Sequence, residues 1–182
     1  MADNPNVLPT HYAVAIQKLV RFALAMVVVG LLSGIAFQES SKKMSLAPPA
    51  GSVSHMDAVL PLALVHGHIL VTAVLFPIAM GCVLYLARTC GGSEISRRAL
   101  RWIVNIYLPF VSFSVALMLY KGYHVLLSAR AGVTDMVKID AGLFSGNTML
   151  RHFLYGVSHV GMGVALCMLV WNVWRSLPTK TD

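Results

Sequence analysis

Seven histidines stand in this chain of 182 residues, as many as its aspartates and glutamates together. Imidazole binds transition metals and haem iron through either ring nitrogen and is the commonest metal ligand among side chains, so their placement decides what chemistry is open to the protein. They fall as His11, then His55, His66 and His68, then His124, then His152 and His159. On a helix His66 and His68 lie about 200° apart, so they cannot serve one iron from one face, whereas the seven-residue step from His152 to His159 keeps one face.

The elements that carry these residues follow from apolar runs. A helix crosses a bilayer with about 20 mostly apolar residues. Four such runs are present: Leu19 to Phe37, interrupted only by Arg21, then Val59 to Ala87, Trp102 to Tyr120 and Phe153 to Trp174. With 57% hydrophobic residues, 12% charged and a mean hydropathy of +0.73, too little polar surface remains to coat a soluble globule. The chain reads as an all-α integral membrane protein, an up-and-down bundle of four transmembrane helices over about residues 14–37, 58–87, 99–127 and 148–174 in one domain. The links are outer loops 38–57 and 128–147 and an inner loop 88–98; Pro48 and Pro49 make the first outer loop irregular, and a short interfacial helix is expected around Val133 to Leu143.

Orientation follows from the basic residues. With the N-terminus inside, Lys18, Arg21, Arg88, Arg97, Arg98, Arg101, Arg175 and Lys180 lie on the inner side. The outer loops hold Lys42, Lys43, Arg130 and Lys138, offset by Glu39, Asp57, Asp135 and Asp140. The positive-inside rule selects N-in, C-in, in a bacterial inner membrane. This topology accounts for the pI of 9.6 without a nucleic-acid partner; the partners it implies are the lipid bilayer and a homo-oligomer or larger respiratory complex. Cys82, Cys90 and Cys167 fall toward the reducing inner side, with no spacing for a metal site. Ten methionines read as core filler, and Trp102, Tyr107, Tyr120 and Tyr123 as interface and core aromatics. Gly30 to Gly34 forms a GxxxG, which lets helices approach closely in lipid.

On this map six histidines gather at the outer side and only His11 at the inner. Ionisable groups within a span are expensive and mark function. His66 and His159 lie at matched depth, roughly 10 Å below the outer boundary, on helices expected to be diagonal partners, which makes them the candidate axial ligands of a bis-His haem b. Gly156, Gly161 and Gly163 around His159 give a flat macrocycle room to approach. Arg151 and Lys121, at the outer boundary with His152, are candidates to hold haem propionates. His68 and His124 are alternative ligands, and taken singly each is equally explained as a residue that hydrogen-bonds between helices; His152 sits at headgroup level. A copper or other transition-metal site on His66, His68, His124 and His159 is the metal alternative.

The stretch His66-Gly67-His68-Ile69-Leu70-Val71, continuing to Pro77, resembles the helix that carries a low-spin haem ligand in the catalytic subunit of haem-copper oxidases and nitric oxide reductases. That resemblance implies His66 as an axial ligand, and Ser158-His159-Val160-Gly161 is a looser match to a second ligand-bearing helix. The whole chain resembles a bacterial family of small four-helix membrane proteins through Gly30 to Glu39, the His66-x-His68 pair, Asn105 to Tyr107, Lys121-Gly122 with Leu126, and Gly156 to His159, which implies the fold and topology. The chain departs from the oxidases in lacking the adjacent paired histidines, the copper ligands and the twelve helices, so a complete oxidase is not implied. The expectation is electron transfer with a quinol or periplasmic partner, or gas sensing at an open axial site. The alternative from another class is a cofactor-free accessory subunit of a larger respiratory or metal-handling complex, packing through the GxxxG face.

Overall fold

The structure is a computed structural model and describes residues 8–42 and 54–178. Lys43, Pro48, Pro49 and Lys180 lie outside the described residues. Those described are helical or irregular, with no strand among them. The elements are α1 (Thr10–Lys42), α2 (His55–His68), a π-helical turn (Ile69–Leu75), α3 (Phe76–Thr89), α4 (Arg97–Arg130), α5 (Met136–Ala141), a 3-10 turn (Leu143–Gly146) and α6 (Thr148–Ser176). Four helical stretches are long and apolar enough to cross a membrane: Thr10–Ser40, Met56–Thr89, Arg97–Arg130 and Thr148–Ser176. Each outruns its apolar run, the first by nine residues before Leu19 and the third by ten after Tyr120, because helical hydrogen bonding continues until a cap or a breaker stops it.

The stops are legible chemistry. Ser54 and Asp57 form a reciprocal capping box at the start of α2, the Ser96 hydroxyl accepts from the Ala99 amide to open α4, and Asn147 accepts from the Leu150 amide to open α6; each satisfies an amide that lacks an intrahelical partner. Gly91, at φ +84°, makes the tight link between α3 and α4, since only glycine enters that region without steric cost.

Backbone contacts place both termini at one end. The Ile95 amide, in the link before α4, donates to the Tyr12 hydroxyl at 2.7 Å, His11 Nε2 donates to the Ile95 carbonyl at 3.0 Å, and the Ser93 amide donates to the Ser176 carbonyl at 2.7 Å. Start of α1, link and end of α6 therefore meet, and the bundle runs up and down. We call this the terminal end and the opposite one, which carries α5, the distal end.

The helices do not form the expected square. α4 packs along α6, α2 and α1, and α1 packs along the whole second span, while α6 meets that span mainly through α3. α1 and α6 thus lie on opposite flanks of a central pair made by the second span and α4. A continuous core of Tyr12, Leu19, Val65, Ile69, Leu84, Leu100, Ile103 and Tyr107 runs between α1, the second span and α4, and a smaller distal one joins Ala58, Leu62, Leu126 and Ile139. Outside, Leu24, Leu31, Leu32, Ile35, Val170, Trp171 and Trp174 stand exposed. So broad an apolar exterior suits hydrocarbon rather than water.

The GxxxG face is used inside the chain. Gly30 is buried against Ile69 and Leu70, and Gly34 lies against the His66 ring, so close that a Cβ at either position would press on those side chains. Small residues here set the spacing of α1 and α2 and leave no free GxxxG face for an accessory role.

Candidate functional site

The second span is where backbone and imidazole chemistry meet. Pro77 lacks an N–H, so the carbonyl five residues before it, Thr72, cannot be paired in the π-helical pattern; the Phe76 amide, which would serve Thr72 in an α-helix, instead bonds the Val71 carbonyl. The Tyr107 hydroxyl, from α4, donates to the Thr72 carbonyl at 2.7 Å and resolves the shortage. A buried carbonyl left bare costs about 1–3 kcal/mol, so the wide turn leans on that tyrosine. The Thr72 hydroxyl in turn donates to the His68 carbonyl at 2.7 Å.

His66, half-buried, donates from Nδ1 to the Gly30 carbonyl of α1 at 2.7 Å. His68 is exposed and donates from Nδ1 to the Leu64 carbonyl of its own helix at 2.9 Å. His159 is exposed on α6 and donates from Nδ1 to the Tyr155 carbonyl at 2.8 Å. A carbonyl only accepts, so the proton sits on Nδ1 in all three and Nε2 is left with a bare lone pair. That is the tautomer of a metal-ligating histidine whose second nitrogen is anchored by the protein. His11 and His124 have the reverse arrangement, with Nε2 committed to the carbonyls of Ile95 and Ile139.

The structure does not bring His66 and His159 together. The first is held against α1 and the second lies exposed on α6, which packs chiefly on α4, so no contact joins the pair expected from matched depth. The physical reason is the helix arrangement: α6 packs on α4 instead of standing diagonally across from α2 at the distal end. Among the described residues no group of three or more His, Cys, Asp or Glu is placed to hold a metal ion, and the four-histidine copper set is not assembled.

Around His159 there is room. A Cβ at Gly156 or at Gly163 would meet nothing within 4 Å, and both share the exposed face of α6 with His152 and His159. Gly161 is different: it is buried, and the Phe110 ring of α4 rests on it.

The cations expected at haem propionates have a partner of their own. Arg151 Nη1 lies 2.6 Å from Asp140 Oδ2 and Lys121 Nζ 3.8 Å from Asp140 Oδ1. Asp140 belongs to α5, the short helix expected near this position, which docks on the distal end by burying Ile139. His124 joins the same cap through its bond to Ile139 at 2.9 Å, so it acts as a latch for α5 rather than as a free ligand. Phe144, in the turn beyond, stacks on Tyr120 at 4.9 Å. These links between α5 and the helix ends lie 11 to 24 residues apart in sequence, and only the alternation of acid and base around the loop hinted at them.

The Arg151 hydrogen bond, with the charges of Arg151 and Lys121, holds the Asp140 carboxyl below its ordinary 3.8 against the opposing effect of burial. A carboxyl lowered in the folded state stabilises above its unfolded pKa, and the contribution goes as pH falls through the folded value. Docking of α5 is therefore expected to hold from neutral pH to the ordinary carboxylate range and to loosen only below about 3.8. Asp140→Asn should loosen it already at pH 7, read as faster amide exchange over 136–146. The pair is partly exposed, so its loss costs less than about 1 kcal/mol of global stability; exchange equal to wild type would remove the cap from the account.

Comparison with protein-family models, with curated proteins and with solved structures returns no match, so the site rests on the chain's own residues.

Proposed function

We propose that this is a multi-pass protein of the bacterial inner membrane, both termini inside, that binds haem b at the distal, outer half of the bundle and serves electron transfer between quinol in the bilayer and a periplasmic partner. The reading is carried by one observation: His66, His68 and His159, all in the distal half, share the Nδ1–H tautomer that leaves Nε2 able to bind iron. Bound haem would supply a one-electron couple; the chain supplies an imidazole anchored through Nδ1 and room beside it.

His159 is the ligand this geometry favours. Its Nδ1 is anchored, its Nε2 is uncommitted, and Gly156 and Gly163 leave the face beside it open. His66 has the same tautomer, but its ring is packed over Gly34 between two helices. Any propionate at Arg151 competes with Asp140 for that guanidinium.

The test is an absorption spectrum of protein purified from haem-replete cells. A Soret band is expected, abolished in His159→Ala and retained in His66→Ala. A band unchanged in both variants, or none in the wild type, overturns the reading. Co-purification with a larger complex at fixed stoichiometry and without haem would instead favour an accessory subunit, which would seat a partner helix on the same open face of α6.

A further inference from the structure

We propose that a pocket at the terminal end of the bundle, between α1 and α4, holds the phosphate of an anionic lipid headgroup. The cavity measures about 400 Å³. Lys18 of α1 and Arg97 and Arg101 of α4 bring three positive charges to it, the two arginines one turn apart on one face. Among the described residues none of the three has a carboxylate partner within ion-pairing distance. Glu94, the acid described at this end, lies beside His11, which also lines the pocket, 3.4 Å from its Nε2. Three like charges converging on one cavity repel each other, and an anion relieves that repulsion.

The walls say which anion. Val14 of α1, 47% exposed, lines the pocket beside the cations, with Ala15, Leu100 and Val104 behind it. Charged and hydrocarbon surface therefore adjoin in one cavity, which suits a phospholipid with its phosphodiester at the cations and a chain against Val14. Basic pockets between helices on the cytoplasmic side hold anionic headgroups in this way. Free phosphate would satisfy the cations and leave the apolar wall unused. Arg98 and Arg175, at the same end, do not line the cavity, so the site is a particular arrangement and not the positive end as a whole. The inference needs the four spans to lie in a membrane and is independent of haem.

The experiment is native mass spectrometry of the full chain in neutral detergent, titrated with phosphatidylglycerol and with phosphatidylcholine. The wild type is expected to prefer phosphatidylglycerol about tenfold or more, from three juxtamembrane cations. K18Q/R97Q/R101Q should bring the preference close to unity, while R21Q/R98Q/R175Q, which removes the same charge from the same end outside the pocket, should keep it. All six residues are exposed, and gel-filtration elution checks that both variants remain folded. Equal loss in the two variants, or no preference in the wild type, overturns the site. Displacement of the lipid by inorganic phosphate as readily as by short-chain phosphatidylglycerol would assign the pocket to a soluble phosphate and overturn the lipid reading.

Discussion

Replacing Gly161 by alanine is expected to lower the stability of the bundle by about 1–3 kcal/mol, although alanine is the better helix former. The cause is the Phe110 ring. An added Cβ would fall into the ring at Cγ, the atom nearest its own backbone, so the phenyl group cannot swing clear unless α4 itself moves. α4 and α6 pack along one another. Close packing on a residue without a Cβ tolerates no added volume unless the backbone shifts. Gly156→Ala and Gly163→Ala serve as controls, since a Cβ there meets nothing within 4 Å; they should be neutral or slightly stabilising. Reversible unfolding in mixed micelles measures all three, and equal effects at the three positions would contradict the packing.

The second large effect is at Tyr107, 1% exposed, whose hydroxyl serves the Thr72 carbonyl at 2.7 Å. Tyr107→Phe removes no volume from the core and takes away a single donor, so its cost is that of a bare carbonyl, about 1–3 kcal/mol. The origin of the shortage is testable in the same assay. Pro77→Ala restores the backbone N–H that the wide turn lacks, so Tyr107→Phe should cost markedly less in that background. Additive losses in the double variant would place the shortage elsewhere.

Much of the fold was legible because four long apolar runs leave their backbone few choices. Every backbone group in a span must be paired internally, so apolar runs such as Leu19 to Phe37 and Phe153 to Trp174 have little choice but helix. The short helix near Ile139 is local chemistry, and Gly30 and Gly34 show close approach by their size alone. What sequence does not carry is azimuth. In a soluble helix the polar face marks the outside, but here Leu31 and Leu32 are exposed and Leu19 is buried with nothing in their chemistry to separate them. Position along the helix was therefore readable for His66 and His159, and direction was not. Cap contacts such as Arg151 to Asp140 are long-range and escaped for the same reason: they depend on which way each helix end points.

One structural detail sets that direction. An α-helix is a screw of fixed pitch, and each residue turns the chain by about 100°. The π-helical turn over Ile69–Leu75 takes up surplus chain without adding a regular step, so it phases the half of the span that carries His66 against the half that carries Leu84. Were the same residues wound as plain α-helix, the surplus one would count as a full step and swing His66 by about 100°, away from the Gly30 carbonyl. The aim of the histidines thus depends on how one residue is wound: a related chain without it would keep that aim with plain α-helix, and one that keeps it without the wide turn would lose it.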